Sequence, residues 1–263
     1  MITSPSASAR TGPCPGWLWL NSSIGKKTAV AVTGIALVAF VIGHLIGNFT
    51  IFLGPDAINA YGAKLQSLGP LLWVIRLALL GILVAHIYFT MKLWQENKAA
   101  RPQKYIASNP VGTTVFARTM RLSGLIVLAF VIFHLAHFTV RVVDPAFATM
   151  HTTLDGQEVH DVYKMVVTGF QNGPVVFIYI IGLFLLTFHL SHGLSSLFQT
   201  LGITNRRIRQ NYETAGRVLA WALYVGYISI PVSISSSALG KESSNDTRQQ
   251  NSTRSARQEV DDF

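Results

Sequence analysis

The chain has 263 residues, 50% of them hydrophobic and only 13% charged. A soluble domain carries about a quarter charged residues, so this composition excludes an ordinary soluble fold. The net charge of +9 does not mark a nucleic-acid binder either, because the basic residues gather in alternate loops between apolar runs, as lipid-facing loops do.

Residues 1–21 form a polar, Pro/Gly-rich segment ending in "GWLWL" (Gly16–Leu20), an interfacial stretch of the kind Trp favours. It lacks the apolar core of a cleavable signal peptide. Cys14 is the single cysteine, which leaves neither a disulfide framework nor a cysteine metal site. The membrane domain follows at 22–238. Five apolar runs lie near Thr28–Leu53, Leu71–Trp94, Thr119–Val143, Pro174–Phe198 and Ala215–Ser235. Each can cross a bilayer, since about 20 residues at 1.5 Å span a hydrocarbon core of roughly 30 Å. All are expected to be helices, because a lone strand cannot satisfy its backbone in lipid. The fold class is therefore all-α and integral to the membrane, with no strands and no internal repeat strong enough to use.

Charge sets the expected orientation. Lys26 and Lys27 precede the first run; Lys92, Lys98, Arg101, Lys104, Arg118 and Arg121 lie between the second and third; Arg206, Arg207, Arg209 and Arg217 lie between the fourth and fifth. The loop from Asp144 to Gly173 is acidic instead, with Asp144, Asp155, Glu158 and Asp161. This alternation predicts a cytoplasmic N-terminus and an outer C-terminus. The tail at 239–263 is polar and expected to be disordered.

Four of the five runs carry histidine: His44, His86, His134 with His137, and His189 with His192. His151 and His160 fall in the acidic loop and read as solvated. One intramembrane histidine is explained by a hydrogen bond to a neighbouring helix. Histidines in four helices of one small protein call for a function, because burying such groups unpaired is costly. Depth pairs them. His44 and His134 fall in the outer halves of the outward-running helices, His86 and His189 in the inner halves of the inward-running ones. Facing imidazoles across a bundle suit a flat, six-coordinate metal complex. Haem b fits better than zinc, since no carboxylate or thiol accompanies these histidines. The first four helices are thus expected to form a haem-binding bundle with two haem levels about 10–12 Å apart along the membrane normal. Gly43, Gly47, Ala85 and Gly193 are candidates for the gaps a macrocycle needs. His137 and His192, one turn nearer the membrane surfaces, are left to propionate contacts, quinone contacts or interfacial polarity.

The stretches "SSIGKK…TGIALVAFVIGHLIGNFTIFLG" from Ser22, "LVAHIY" around His86, "FVIFHLAHF" and "FHLSHGLSSLFQTLGIT" resemble the five-helix, dihaem cytochrome b subunit of succinate:quinone oxidoreductases (succinate dehydrogenase or fumarate reductase). The resemblance runs from Ser22 to Ser235. It implies a membrane anchor in the bacterial cytoplasmic membrane, bound to a flavoprotein subunit and an iron–sulfur subunit on the cytoplasmic side. It implies two haems b, with His44 and His134 as the outer pair and His86 and His189 as the inner pair. It implies menaquinone as the membrane substrate. Succinate or fumarate chemistry would belong to the flavin subunit, since this chain has no dinucleotide fingerprint. Lys26–Lys27, Glu96–Arg118 and Gly202–Arg217 would face the dehydrogenase subunits.

Quinone needs hydrogen-bond partners at both carbonyls. The outer ends of the first three helices offer Asn59, Tyr61, Lys64, Gln66, Arg76, His137, Arg141 and Asp144, and Arg76 or Arg141 could equally hold haem propionates. Asp56 is the only acid between Gly54 and Pro70, so no glutamate there handles protons. Two other readings compete: a haem b subunit of another membrane dehydrogenase, and a transporter that uses intramembrane histidines. A transporter should show broken helices or acids within the spans. The five runs hold no Asp or Glu, and only Pro231 lies centrally in a helix.

Overall fold

The computed structural model describes residues 16–100, 115–202 and 209–236. Cys14, most of the N-terminal polar segment, Arg101, Lys104, Arg206, Arg207 and the polar tail lie outside the described residues. After a short helix α1 (Gly16–Asn21), five helices are long and apolar enough to cross a membrane. They are α2 (Ser23–Asn48), α4 (Pro70–Ala99), α5 (Val115–His134), α7 (Gly173–Thr200) and α8 (Arg209–Ser235). The chain is an all-α integral membrane protein by this architecture, since spanning helices keep every backbone bond within themselves.

Local chemistry starts and stops these helices. Ser22 caps α2 by accepting from Gly25 N at 3.0 Å, and Asn172 caps α7 by accepting from Val175 N. Pro70 opens α4 at a position where its missing N–H costs nothing. Gly69, at φ 53, makes the turn just before it. The third span does not end as a plain α-helix. Leu135–Thr139 widen into a π turn closed by Val140 N on the Leu135 carbonyl at 2.7 Å, and Arg141 follows at φ 63.

Two regions depart from the sequence expectation. Gly54–Pro70 is not an open loop: Pro55–Gln66 form α3, with Pro at its start, Asp56 in its first turn and Lys64 in its last, all favourable placements. The acidic loop contains strands. β1 (His151–Leu154) and β2 (Gln157–His160) pair antiparallel, His151 opposite His160. The turn is Asp155–Gly156, both at positive φ, the conformation a two-residue hairpin requires. Helix α6 (Val162–Gln171) follows. Together α3, the hairpin and α6 form a cap over one end of the bundle. Ile51, Ile58, Phe147, Tyr163, Phe170, Tyr179 and Ile230 make the core beneath it.

The spans group as α2 against α4, and α7 against both α5 and α8, with α2 also touching α7 and α8. No residue of α4 is buried. The opposite, basic end is stapled by Lys26, which is 9% exposed. Its ammonium donates to the Asn21 carbonyl at 2.8 Å and pairs with Glu96 of α4. Lys26 is therefore turned inward rather than offered to a partner, whereas Lys27 is exposed.

Candidate functional site

The histidines meet in the pairs that depth predicts. His44 of α2 and His134 of α5 have ring centroids 5.8 Å apart with planes crossing at 77°. His86 of α4 and His189 of α7 are 6.5 Å apart at 68°. The first pair lies toward the cap, the second toward the basic end. Two imidazoles on opposite sides of one metal, with bonds of about 2.0 Å and ring centres about 1.1 Å beyond each nitrogen, have centroids about 6.2 Å apart. Both pairs sit close to that separation. Each joins one helix of the α2/α4 group to one helix of the α5/α7 group, so a group held there would lie between the two. The donor set is two neutral imidazoles per level, and no cluster of three or more His, Cys, Asp or Glu suited to a metal ion occurs among the described residues. This fits an iron porphyrin, which brings its own four equatorial nitrogens, better than a bare cation.

Hydrogen bonds engage Nδ1 and leave Nε2 free in two of the rings. Thr33 Oγ1 lies 3.1 Å from His86 Nδ1 and gives its own proton to the Ala29 carbonyl at 2.7 Å. It must then accept from His86, whose Nε2 is left bare. Tyr179 OH lies 3.2 Å from His134 Nδ1. A ligating histidine usually has its other N–H held in this way. Nδ1 of His189 makes no hydrogen bond of ordinary geometry, although the Met120 backbone faces it.

Thr33, Tyr179 and two glycines were not singled out in the sequence, and a signal for most of them exists there. A Cβ on Gly34 would sit 3.4 Å from His86 Cε1, and one on Gly124 would sit 3.3 Å from His189 Cε1. Gly34 and Gly124 are 90 residues apart, as are His44 and His134. "TGIALVAFVIGHL" from Thr33 aligns with "SGLIVLAFVIFHL" from Ser123, so an internal repeat is present after all. The structure repeats with it: Phe40 stacks on His44 at 5.4 Å, and Phe130 leans on His134 at 6.2 Å. Ten residues of helix separate the glycine from the histidine in each copy, about 15 Å between Cα levels, and the backward lean of the rings over Phe40 and Phe130 shortens that. The glycines flanking the histidines play other parts. Gly43 and Gly193 face open space, and Gly47 is filled by the Tyr61 ring.

His137 has a different setting. It is 2% exposed, walled by Phe133, Phe138, Phe147 and the Gly169 backbone, and bonded through Nδ1 to Tyr179 OH at 3.1 Å. The four paired histidines are only half-buried. With a one-residue gap, "HLAHFT" aligns with "HLIGNFT", which sets His137 against Asn48 rather than against a paired histidine. His192 is half-buried on α7, one turn beyond His189.

The quinone candidates scatter. Gln66, Arg76 and Arg141 line one cavity of about 710 Å³ together with Trp73, His151 and His160. The Arg76 guanidinium lies over the Trp73 ring at 5.1 Å. Arg141 Nε and His160 Nδ1 are buried without hydrogen-bond partners. His160 is 8% exposed rather than solvated; burial pushes its imidazole below the ordinary range, and Arg141 pushes the same way. Asn59 is committed elsewhere, donating to Asp161 at 3.2 Å and accepting from Tyr163 N at 3.0 Å, which ties α3 to α6. Asp144 caps the short turn Pro145–Thr149 through Ala146 N. Tyr61 packs over Gly47, and Lys64 is exposed.

A family model described as the succinate dehydrogenase/fumarate reductase transmembrane subunit matches residues 94–229, just over half of the chain. The match takes in His134, His137, His189 and His192, while His44 and His86 precede it. No curated protein and no solved structure matches the chain.

Proposed function

The chain belongs to the succinate dehydrogenase/fumarate reductase transmembrane subunit family, and from that premise we propose that it is the five-helix, dihaem member that carries electrons between an iron–sulfur subunit and membrane quinone. His44 with His134 would hold one haem b and His86 with His189 the other. The single observation that carries this reading is the two histidine pairs, 5.8 Å and 6.5 Å between centroids, at two levels of one bundle. Bound haem supplies one-electron redox chemistry that no side chain here can supply. The chain's own residues orient the imidazoles through Thr33 and Tyr179, shape the gap with Gly34 and Gly124, and keep water from the apolar zone.

The basic end faces the cytoplasm in this proposal, so the His86 pair is inner and the His44 pair outer. The N-terminus is then cytoplasmic, in a bacterial inner membrane, and the flavoprotein and iron–sulfur subunits dock at the basic end. Dicarboxylate chemistry stays on the flavoprotein. Menaquinone is the proposed substrate of this chain, and the cavity at the cap end, between the start of α4 and the hairpin, is its proposed site. Trp73 offers a ring to stack on, Gln66 and the two arginines offer donors, and His160 offers a neutral imidazole. The test is the haem-to-protein ratio by pyridine haemochrome, with a dithionite-reduced minus oxidised spectrum on purified complex. Two haems b per chain is the expected result. Folded protein without haem would overturn the reading and favour the transporter.

A further inference from the structure

Tyr179 holds two histidines with one hydroxyl. It lies on α7 ten residues before His189 and is 5% exposed. Its oxygen is 3.2 Å from His134 Nδ1 and 3.1 Å from His137 Nδ1. The phenol cannot swing away. Phe170 meets its ring edge-on at 4.8 Å, Phe130 at 5.3 Å and Phe138 at 5.9 Å.

A neutral phenol has one proton to give. It can donate to one imidazole only, so the other bond must run from that histidine's Nδ1–H to the phenol oxygen. The direction follows from which ring needs a bare Nε2. A neutral imidazole with bare Nε2 carries its proton on Nδ1. His134 is half-buried and faces His44, whereas His137 is walled in by aromatic rings.

We infer that Tyr179 is the positioning residue of the outer pair: it accepts the Nδ1–H of His134, fixing that ring with a bare Nε2, and gives its own proton to His137. This rests on the haem reading of His134. The chain of bonds runs His134 to Tyr179 to His137, and each bond strengthens the next. His137 is then not a spare ligand. It is the acceptor that makes Tyr179 a better acceptor for His134. Thr33 does the equivalent for His86 with a backbone carbonyl at the end of the chain. An acceptor on the distal N–H raises the ligand's basicity and favours the oxidised metal.

The experiment is a redox titration of the intact complex, following each haem by its optical and low-spin ferric electron paramagnetic resonance signals. Wild type, Tyr179→Phe and His137→Leu are compared. Tyr179→Phe removes the acceptor and should raise the potential of the outer haem, leaving the inner haem unmoved as an internal control. His137→Leu removes only the end of the chain and should move the outer potential the same way by less. A tyrosine that merely fills space would leave the potential unmoved in both variants. Unmoved potentials in complex carrying both haems would overturn the inference. So would loss of the outer haem in His137→Leu, which would make His137 the ligand and reverse the direction of the bonds. If Tyr179→Phe does not fold, His137→Leu decides alone. Wild-type complex without haem would instead overturn the cofactor reading on which the inference rests, and the inference with it.

Discussion

Phe130 of α5 lies hard against Gly182 of α7 beside His134, and replacing that glycine tests how tightly the pair is held. A Cβ there would lie 2.3, 2.4 and 2.9 Å from Cδ2, Cγ and Cε2 of Phe130. Carbon atoms prefer about 3.5–4.0 Å, so the ring must retreat by more than about 1 Å. It has little room, because Phe130 is packed edge-on against Tyr179 at 5.3 Å and tilted against His134 at 6.2 Å. Overpacking of this kind costs about 1–3 kcal/mol. Helix propensity works the other way, since Ala is better than Gly by about 1 kcal/mol in a helix interior. Gly81→Ala separates the two effects. Gly81 also lies inside a span, but a Cβ there meets nothing within 4 Å. The propensity gain is common to both variants, so their difference isolates the clash. At about 2–4 °C per kcal/mol for a chain of this size, Gly182→Ala should melt about 2–12 °C below Gly81→Ala. Thermal unfolding in detergent, followed by circular dichroism, reads this. If His44 and His134 hold a haem as proposed, its spectrum should change as well, while that of a haem held by His86 and His189 should not. A Gly182→Ala protein that melts with or above Gly81→Ala would refute the packing argument.

Three further outcomes are expected. His134→Ala should hold one haem per chain and His137→Ala two, counted by pyridine haemochrome; two haems in His134→Ala would displace that residue as a ligand. Asn59→Ala removes both hydrogen bonds that tie α3 to α6 and should cost about 1–3 kcal/mol, seen as faster amide exchange across the cap with the spans unaffected. The cap should also loosen in acid. Burial holds the His160 pKa below its unfolded value near 6.5, so the unfolded chain takes up the proton first. The stability this residue contributes is then present above the unfolded pKa and falls away as pH drops toward the native one. Proteolysis of the hairpin at descending pH measures this, and His160→Leu should flatten the dependence.

The spans were legible because about 20 consecutive apolar residues leave a chain few alternatives, and His44, His86, His134 and His189 were legible because a buried imidazole needs a reason. Their pairing followed from depth, a quantity that rise per residue and alternating helix direction supply. What escaped was of two kinds. Some signals were local and present. Asp155–Gly156 between Thr-rich and Val-containing stretches is a hairpin signature, and Pro55, Asp56 and Lys64 mark a helix. Others were tertiary. Lys26 reads as a basic flank because Glu96, its partner, lies 70 residues away. Tyr179 reads as one aromatic in an apolar run until α5 brings His134 and His137 to it. The buried setting of His160 depends on the cap that folds over it.

The repeat changes what the two sites can be. Helix α2 and helix α5 each carry a glycine facing the inner level and a histidine at the outer level, in the same spacing. His44 and His134 hold equivalent places in the two copies and face each other, so the repeat relates the two rings of one pair rather than one pair to the other. The surroundings differ where the copies differ. Thr33 ends its hydrogen-bond chain on a backbone carbonyl within its own helix, whereas Tyr179 passes its bond on to a second histidine. On α4, ten residues before His86, the place that Tyr179 holds on α7 is taken by Arg76, which stacks on Trp73 and lines the cavity. One copy thus spends that position on orienting a ligand and the other on a cationic wall next to a cavity. The two copies therefore hold their histidines differently, and these substitutions are where they part.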